Sequence, residues 1–246
     1  MKAASVIVLS FLLLGQPACK KKVGDANSNA GTGAGAANPS DPNQTQARAF
    51  LEQGKELYRD DRDEKAAEAF QNAIKLDPEL AEAHFRLGLT LEALAQDQEA
   101  EDAYKKAIEK YKKYLNDNSK DAEAHYNLGQ TYAGLRLYAE AVKEYRQATK
   151  LKEDDASIYY DLGLALSKLA QYDEAATAFS KSLEIDPDNY RAEDALEEAR
   201  EGVQRIRAGK KHQEELLKKK KEGEAKEEGS PGATTPSGSN TNKRPD

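Results

Sequence analysis

AEAHYNLGQTYAGLRLYAEAVKEYRQATKLKEDD, residues Ala122 to Asp155, decides the fold. It reads as two amphipathic helices and a tight turn. Tyr126, Leu128, Gly129, Tyr132 and Leu135 recur at helical spacing in the first half, and Ala141, Val142, Tyr145, Ala148 and Leu151 in the second. The same template fits three more times. Gly54, Gly88, Gly129 and Gly163 match, as do Ala66, Ala100, Ala141 and Ala175, and Phe70, Tyr104, Tyr145 and Phe179. All three sets step by 34, 41 and 34 residues. Gly at the eighth position lets the paired helices approach, and the later Ala does the same for the second helix. The aromatic one turn on fills the space between one pair and the next. One such pair cannot cover its own apolar faces, so the pairs must stack.

A 34-residue period with an early small residue, a later Ala, an aromatic and a terminal Pro (Pro78, Pro187) resembles the tetratricopeptide repeat. The resemblance covers residues 47–189 and implies an all-α protein, a right-handed α-solenoid of four helix-turn-helix repeats. The repeats run 47–80, 81–121, 122–155 and 156–189. A capping helix with a charged extension follows at 190–222, and 223–246 is expected to be disordered. The second repeat holds seven extra residues, close to two helical turns, so its buried face keeps phase through Ala107, Ile108, Tyr111 and Leu115. The spacing predicts a lengthened second helix ending at Asn116–Asn118, projecting about 10 Å beyond the solenoid as a candidate partner contact.

Composition agrees with a thin layered core: 33% of residues are charged, only 7% are aromatic, and there is no Trp. A net charge of −7 argues against a general nucleic-acid binder. The single Cys excludes an internal disulfide. Residues 1–18, MKAASVIVLSFLLLGQPA, have an early Lys, an apolar run from Val6 to Leu14 and small residues before Cys19. That is the layout of a secretory signal peptide, too short in its apolar part to span a membrane. The segment resembles a bacterial lipoprotein signal, with Gln16 and Pro17 departing from its usual pattern. The resemblance implies lipidation at Cys19 and export to a bacterial cell envelope, with the repeats in the periplasm. The missing Asp after Cys19 leans toward the outer membrane. Lys20, Lys21 and Lys22 would sit beside the headgroups. Residues 19–46 are Gly, Ala, Asn, Ser and Thr without periodicity, a flexible tether of roughly 30 Å.

Chemistry-bearing motifs are scarce. There is no phosphate-binding Gly loop, nucleophile elbow or paired metal-binding His motif, so no catalytic site, cofactor or metal is assigned. His84 and His125 hold the same fourth position of successive repeats, where Phe50 and Tyr159 suggest a packing role.

The family resemblance implies a concave groove lined by the first helix of each repeat. Its candidate residues here are Leu51, Lys55, Tyr58, Phe85, Leu89, Tyr126, Gln130, Tyr160 and Leu164, with Arg48, Glu82, Glu123 and Ser157 at the second positions. Such a lining of aromatics and Leu suits an extended peptide or an amphipathic helix. Leu51 and Lys55 stand where chaperone-tail binders carry a Lys and Asn clamp for a carboxylate, so that specificity is not expected. The Lys218–Lys221 run is flanked by Glu214, Glu215, Glu222 and Glu224, and reads as a solvated helix end.

The reading is a non-enzymatic adaptor, anchored through an N-terminal lipid, whose groove binds another envelope protein and helps assemble an envelope complex. The alternative is a cell-wall or polysaccharide-associated organiser acting through the charged C-terminal segment. No nucleic-acid partner is expected.

Overall fold

The computed structural model describes residues 41–228, with side chains to Glu222. All of these residues are helical or in short turns, and no strand occurs among them. The helices pair as α1 (Pro42–Arg59) with α2 (Asp63–Leu76), α3 (Ala81–Ala93) with α4 (Asp97–Asp117), α5 (Ala122–Gly134) with α6 (Tyr138–Leu151), and α7 (Ala156–Lys168) with α8 (Tyr172–Ile185). The last helix, α9 (Tyr190–Glu228), packs on α8. The signal segment, Cys19, most of the tether and residues 229–246 lie outside the described residues. No helix is long and apolar enough to cross a membrane among those described.

The Gly-aromatic pairs of the sequence are the locks of the fold. A Cβ on Gly54 would stand 2.5 Å from the Phe70 ring. Gly88 and Gly129 have the same relation to Tyr104 and Tyr145, each at 2.6 Å, and Gly163 to Phe179 at 2.5 Å. Each aromatic thus lies against the glycine of its own pair, which corrects the expectation that it fills the space between pairs. The tip of the ring reaches onward: Tyr104 would be 2.8 Å from a Cβ on Gly134 of the next repeat. The partner Ala residues, Ala66, Ala100, Ala141 and Ala175, are at most 3% exposed, so the second helices have no room for larger groups there.

Each turn inside a pair has one geometry. Asp61, Ala95, Arg136 and Ala170 take φ of 56–59°, the left-handed region that favours Gly. The next residue then donates back to a first-helix carbonyl: Arg62 to Leu57, Gln96 to Leu91, Leu137 to Tyr132 and Gln171 to Leu166, all at 2.9 Å. This is the Schellman arrangement, which satisfies carbonyls that the helix end leaves open. Between repeats, Asp121 and Asp155 cap the next helix through their side chains.

Two boundaries differ from the sequence reading, and one helix of the expected length is held differently. Helix α1 begins at Pro42, not Ala47, because Asp41 caps it by accepting from Asn43 N–H, and Pro42 suits the first turn. Helix α4 has 21 residues against 14 in α2, α6 and α8, as its spacing predicts. Yet the extra turns are held in the stack rather than projecting freely. Tyr111 is fully buried, Tyr114 donates to Asp121 at 2.9 Å, and Lys110 and Lys113 both reach Glu79, at 2.8 and 2.6 Å. Helix α9 continues to Glu228 without a break, so residues 223–228 are helical where disorder is expected. Ala192, Leu196, Ala199 and Val203 bury its first half, and every residue from Gln204 to Glu222 is exposed.

Candidate functional site: the inner face

Each first helix meets the next first helix: α1 with α3, α3 with α5, α5 with α7, and α7 with α9. Among the described residues, second helices approach one another only through long side chains, such as Arg146 toward Glu174. Close spacing on one side and wide spacing on the other curves the stack, with α1, α3, α5, α7 and α9 inside. That inner face is the candidate site.

The structure divides the nine sequence-predicted groove residues into two groups. Leu51 and Phe85 are 4% and 1% exposed, so neither presents a side chain to a partner. Phe85 is covered by Tyr104, whose ring centroid lies 6.4 Å away, and Leu51 joins Phe70 and Leu80 in the core of the first repeat. Truncating Phe85 would therefore test folding, not binding. Lys55, Tyr58, Leu89, Tyr126, Gln130, Tyr160 and Leu164 are half-buried on the inner face.

These side chains form two polar clusters. At the first, Lys55 on α1 reaches Glu82 on α3 at 3.2 Å and Glu52 at 2.9 Å, while Arg86 lies 3.4 Å from Glu82. Glu82 is 3% exposed, a charge that a buried site tolerates only because two cations flank it. Burial alone would depress the Lys55 pKa, but Glu82 and Glu52 outweigh it and hold it above the usual lysine value. Glu123 on α5 is pushed above the usual carboxylate range, first by burial and then by Glu82 and Asp121.

At the second cluster, the Tyr126 hydroxyl donates to Asp161 on α7 at 2.8 Å. Gln130 Nε2 donates to the Tyr126 hydroxyl at 2.9 Å and to Asp161 at 3.2 Å. Burial raises the Asp161 pKa, and the two hydrogen bonds oppose that rise. Arg191 of α9 stands 4.8 Å over the Tyr160 ring and donates to its hydroxyl at 3.3 Å. Leu89 on α3 and Leu164 on α7 carry the apolar part of the surface, at the ninth position of their repeats. The inner face is thus more polar than expected, with the Tyr126 hydroxyl committed to Asp161 and the Tyr160 hydroxyl to Arg191.

Asp161, Arg86 and Arg191 are absent from the sequence-based list. The first two occupy the sixth position of their repeats. Arg191 has the second position of an incomplete fifth repeat, a signal the 34-residue step from Ser157 does contain.

His84 and His125 turn away from this face. Each ring donates its Nε2–H to the backbone carbonyl six residues upstream, Pro78 at 3.0 Å and Ser119 at 3.2 Å, pinning the turn between repeats. His125 also pairs with Glu144 at 2.7 Å. Among the described residues no group of three or more His, Cys, Asp and Glu is arranged to hold a metal.

Models of the tetratricopeptide repeat match residues 54–95, 82–114, 100–135, 138–170 and 156–189. Among solved structures, PilF of Pseudomonas aeruginosa is 20% identical, with 65% of this chain and 69% of that one covered, at a TM-score of 0.52. The Cut9-Hcn1 complex of the APC/C is 23% identical over 63% of this chain and 30% of that one, also at 0.52. A MamA structure is 26% identical over 73% and 94%, at 0.48. No relative among curated proteins matches the chain. Proteins built from tetratricopeptide repeats in general bind peptide partners. With its Gly-aromatic locks, its four helix pairs and family models over more than half its length, this chain belongs to the tetratricopeptide-repeat family.

Proposed function

We propose that this protein is a non-enzymatic adaptor, tethered to a bacterial envelope membrane through lipidated Cys19, that holds a segment of another envelope protein on its inner face. The observation that carries the reading is the continuous inner surface of five first helices. There Leu89 and Leu164 are half-buried, as are Gln130, Lys55 and Glu123 on the same set of helices. A segment with spaced apolar side chains and flanking charges of both signs suits that surface. The partner's apolar groups would supply most of the binding energy, and the two polar clusters its register.

The test is in-cell photo-crosslinking from position 164, with exposed Lys143 on α6 as the back-face control. A discrete band at 164 alone, lost in a Leu89→Glu chain that keeps its circular dichroism, supports the reading. No band from 164 or 130, or equal bands at 143, overturns it. The tether is tested separately: Cys19→Ser should move the chain from the membrane to the soluble fraction.

A further inference from the structure

From Gln204 onward α9 leaves the solenoid as an exposed helical arm. Its chemistry differs from that of the body. Residues 41–203 hold 22 Lys and Arg against 36 Asp and Glu, a net of −14. Residues 204–221 hold eight Lys and Arg against Glu214 and Glu215, a net of +6. The acids that balance the lysine run in the linear sequence, from Glu222 to Glu228, are gathered at the tip. The charge is therefore segregated along the helix, which an exposed helix gains nothing from in isolation.

The arm is also amphipathic. Ile206, Gln213, Leu216 and Leu217 recur at i, i+7, i+10 and i+11, one side of the helix, with Lys210 and Lys221 along its edge and Lys220 within it. Leu216 and Leu217 are 52% and 53% exposed. A basic helix with exposed leucines matches an interface between anionic headgroups and acyl chains: leucines enter, and lysine stems run along the boundary with their ammonium groups among phosphates. A nucleic acid or wall polymer offers the same negative charge but nothing for the leucines.

We infer that residues 204–221 lie on the surface of an anionic lipid membrane, as a second contact independent of any lipid at Cys19. The acidic body is repelled by the same surface. Arm attraction and body repulsion together confine the contact to the arm, which lies along the surface while the acidic repeats are kept from it.

The chain lacks Trp, so Leu217→Trp gives a single reporter in the full-length protein. Vesicles of phosphatidylglycerol and phosphatidylcholine should shift its emission to the blue and allow quenching by brominated acyl chains. Pure phosphatidylcholine vesicles should do neither at the arm. Each Lys→Gln change at 210, 218, 219 or 221 should weaken the arm's partition about fivefold. The Cys19→Ser chain should respond like its parent, so the result is separate from the fate of the tether and of the groove partner. Three outcomes overturn the inference: no shift with anionic vesicles; a shift without acyl-chain quenching, which means polyanion-like adsorption; and a concentration-dependent shift without vesicles, which means pairing with a second copy.

Discussion

Replacing Gly129 by Ala tests the central packing claim. An isolated helix would favour Ala by about 1 kcal/mol. In the fold, the new methyl would lie 2.6 Å from both Cδ1 and Cε1 of Tyr145. Ordinary carbon contacts are ~3.5 Å or longer, so ring or helix must move by about 0.9 Å. The ring has little room: Tyr145 is 2% exposed, with the Tyr126 ring centroid 5.9 Å away. Overpacking of this kind costs about 1–3 kcal/mol, and so severe a contact belongs at the upper end. The net expectation is a loss of about 2 kcal/mol after the propensity gain, or about 4–8 °C in Tm for a chain of this size. Calorimetry and urea unfolding measure it. Gly129→Ala with Tyr145→Leu should be less damaged than the sum of the single changes by about 1 kcal/mol or more. The control is Gly209→Ala, where nothing lies within 4 Å of the new Cβ and the exposed arm should only gain helicity. A Gly129→Ala protein that melts at or above the parent's temperature would refute the reasoning.

Ala95 and Ala170 are exposed residues at φ of 58° and 56°, so Ala95→Gly and Ala170→Gly should each stabilise the protein by about 0.5–1 kcal/mol, measured by denaturant midpoint. The two repeat-linking histidines should titrate in opposite directions from 6.5 in an NMR titration. Hydrogen bonding to Glu144 raises His125, whereas burial lowers His84. His125 therefore adds stability that is complete below 6.5 and fades as pH rises through its folded value, and Glu144→Gln should remove that slope. Asp161 is raised by burial, so its ionised form opposes folding near neutrality. Asp161→Asn keeps an acceptor for Tyr126 and Gln130, and should leave Tm at pH 7 unchanged or higher; a loss above about 1 kcal/mol would contradict this.

Much of this protein was legible in the sequence because a repeat states its packing rule several times. The recurrence of Gly54, Gly88, Gly129 and Gly163 with Phe70, Tyr104, Tyr145 and Phe179 specified four helix pairs, since only a glycine admits a ring at 2.5–2.6 Å. The lengthened α4 followed from seven residues in phase with the helix period, and the cap from the helical apolar spacing of Ala195, Leu196, Ala199 and Val203. Tertiary structure decided which of these side chains face a partner. Position within the repeat placed Phe85 and Tyr126 alike, yet Phe85 is sealed by Tyr104 and Arg86 lies beside it, while the Tyr126 hydroxyl finds Asp161 one repeat away. The same holds for Lys55 with Glu82 and for Tyr160 with Arg191, partners separated by about one period. Helical spacing is a local property, set by 3.6 residues per turn and readable along the chain. Burial and charge pairing across stacked repeats depend on side chains roughly 30 residues apart, and only the assembled solenoid brings those together.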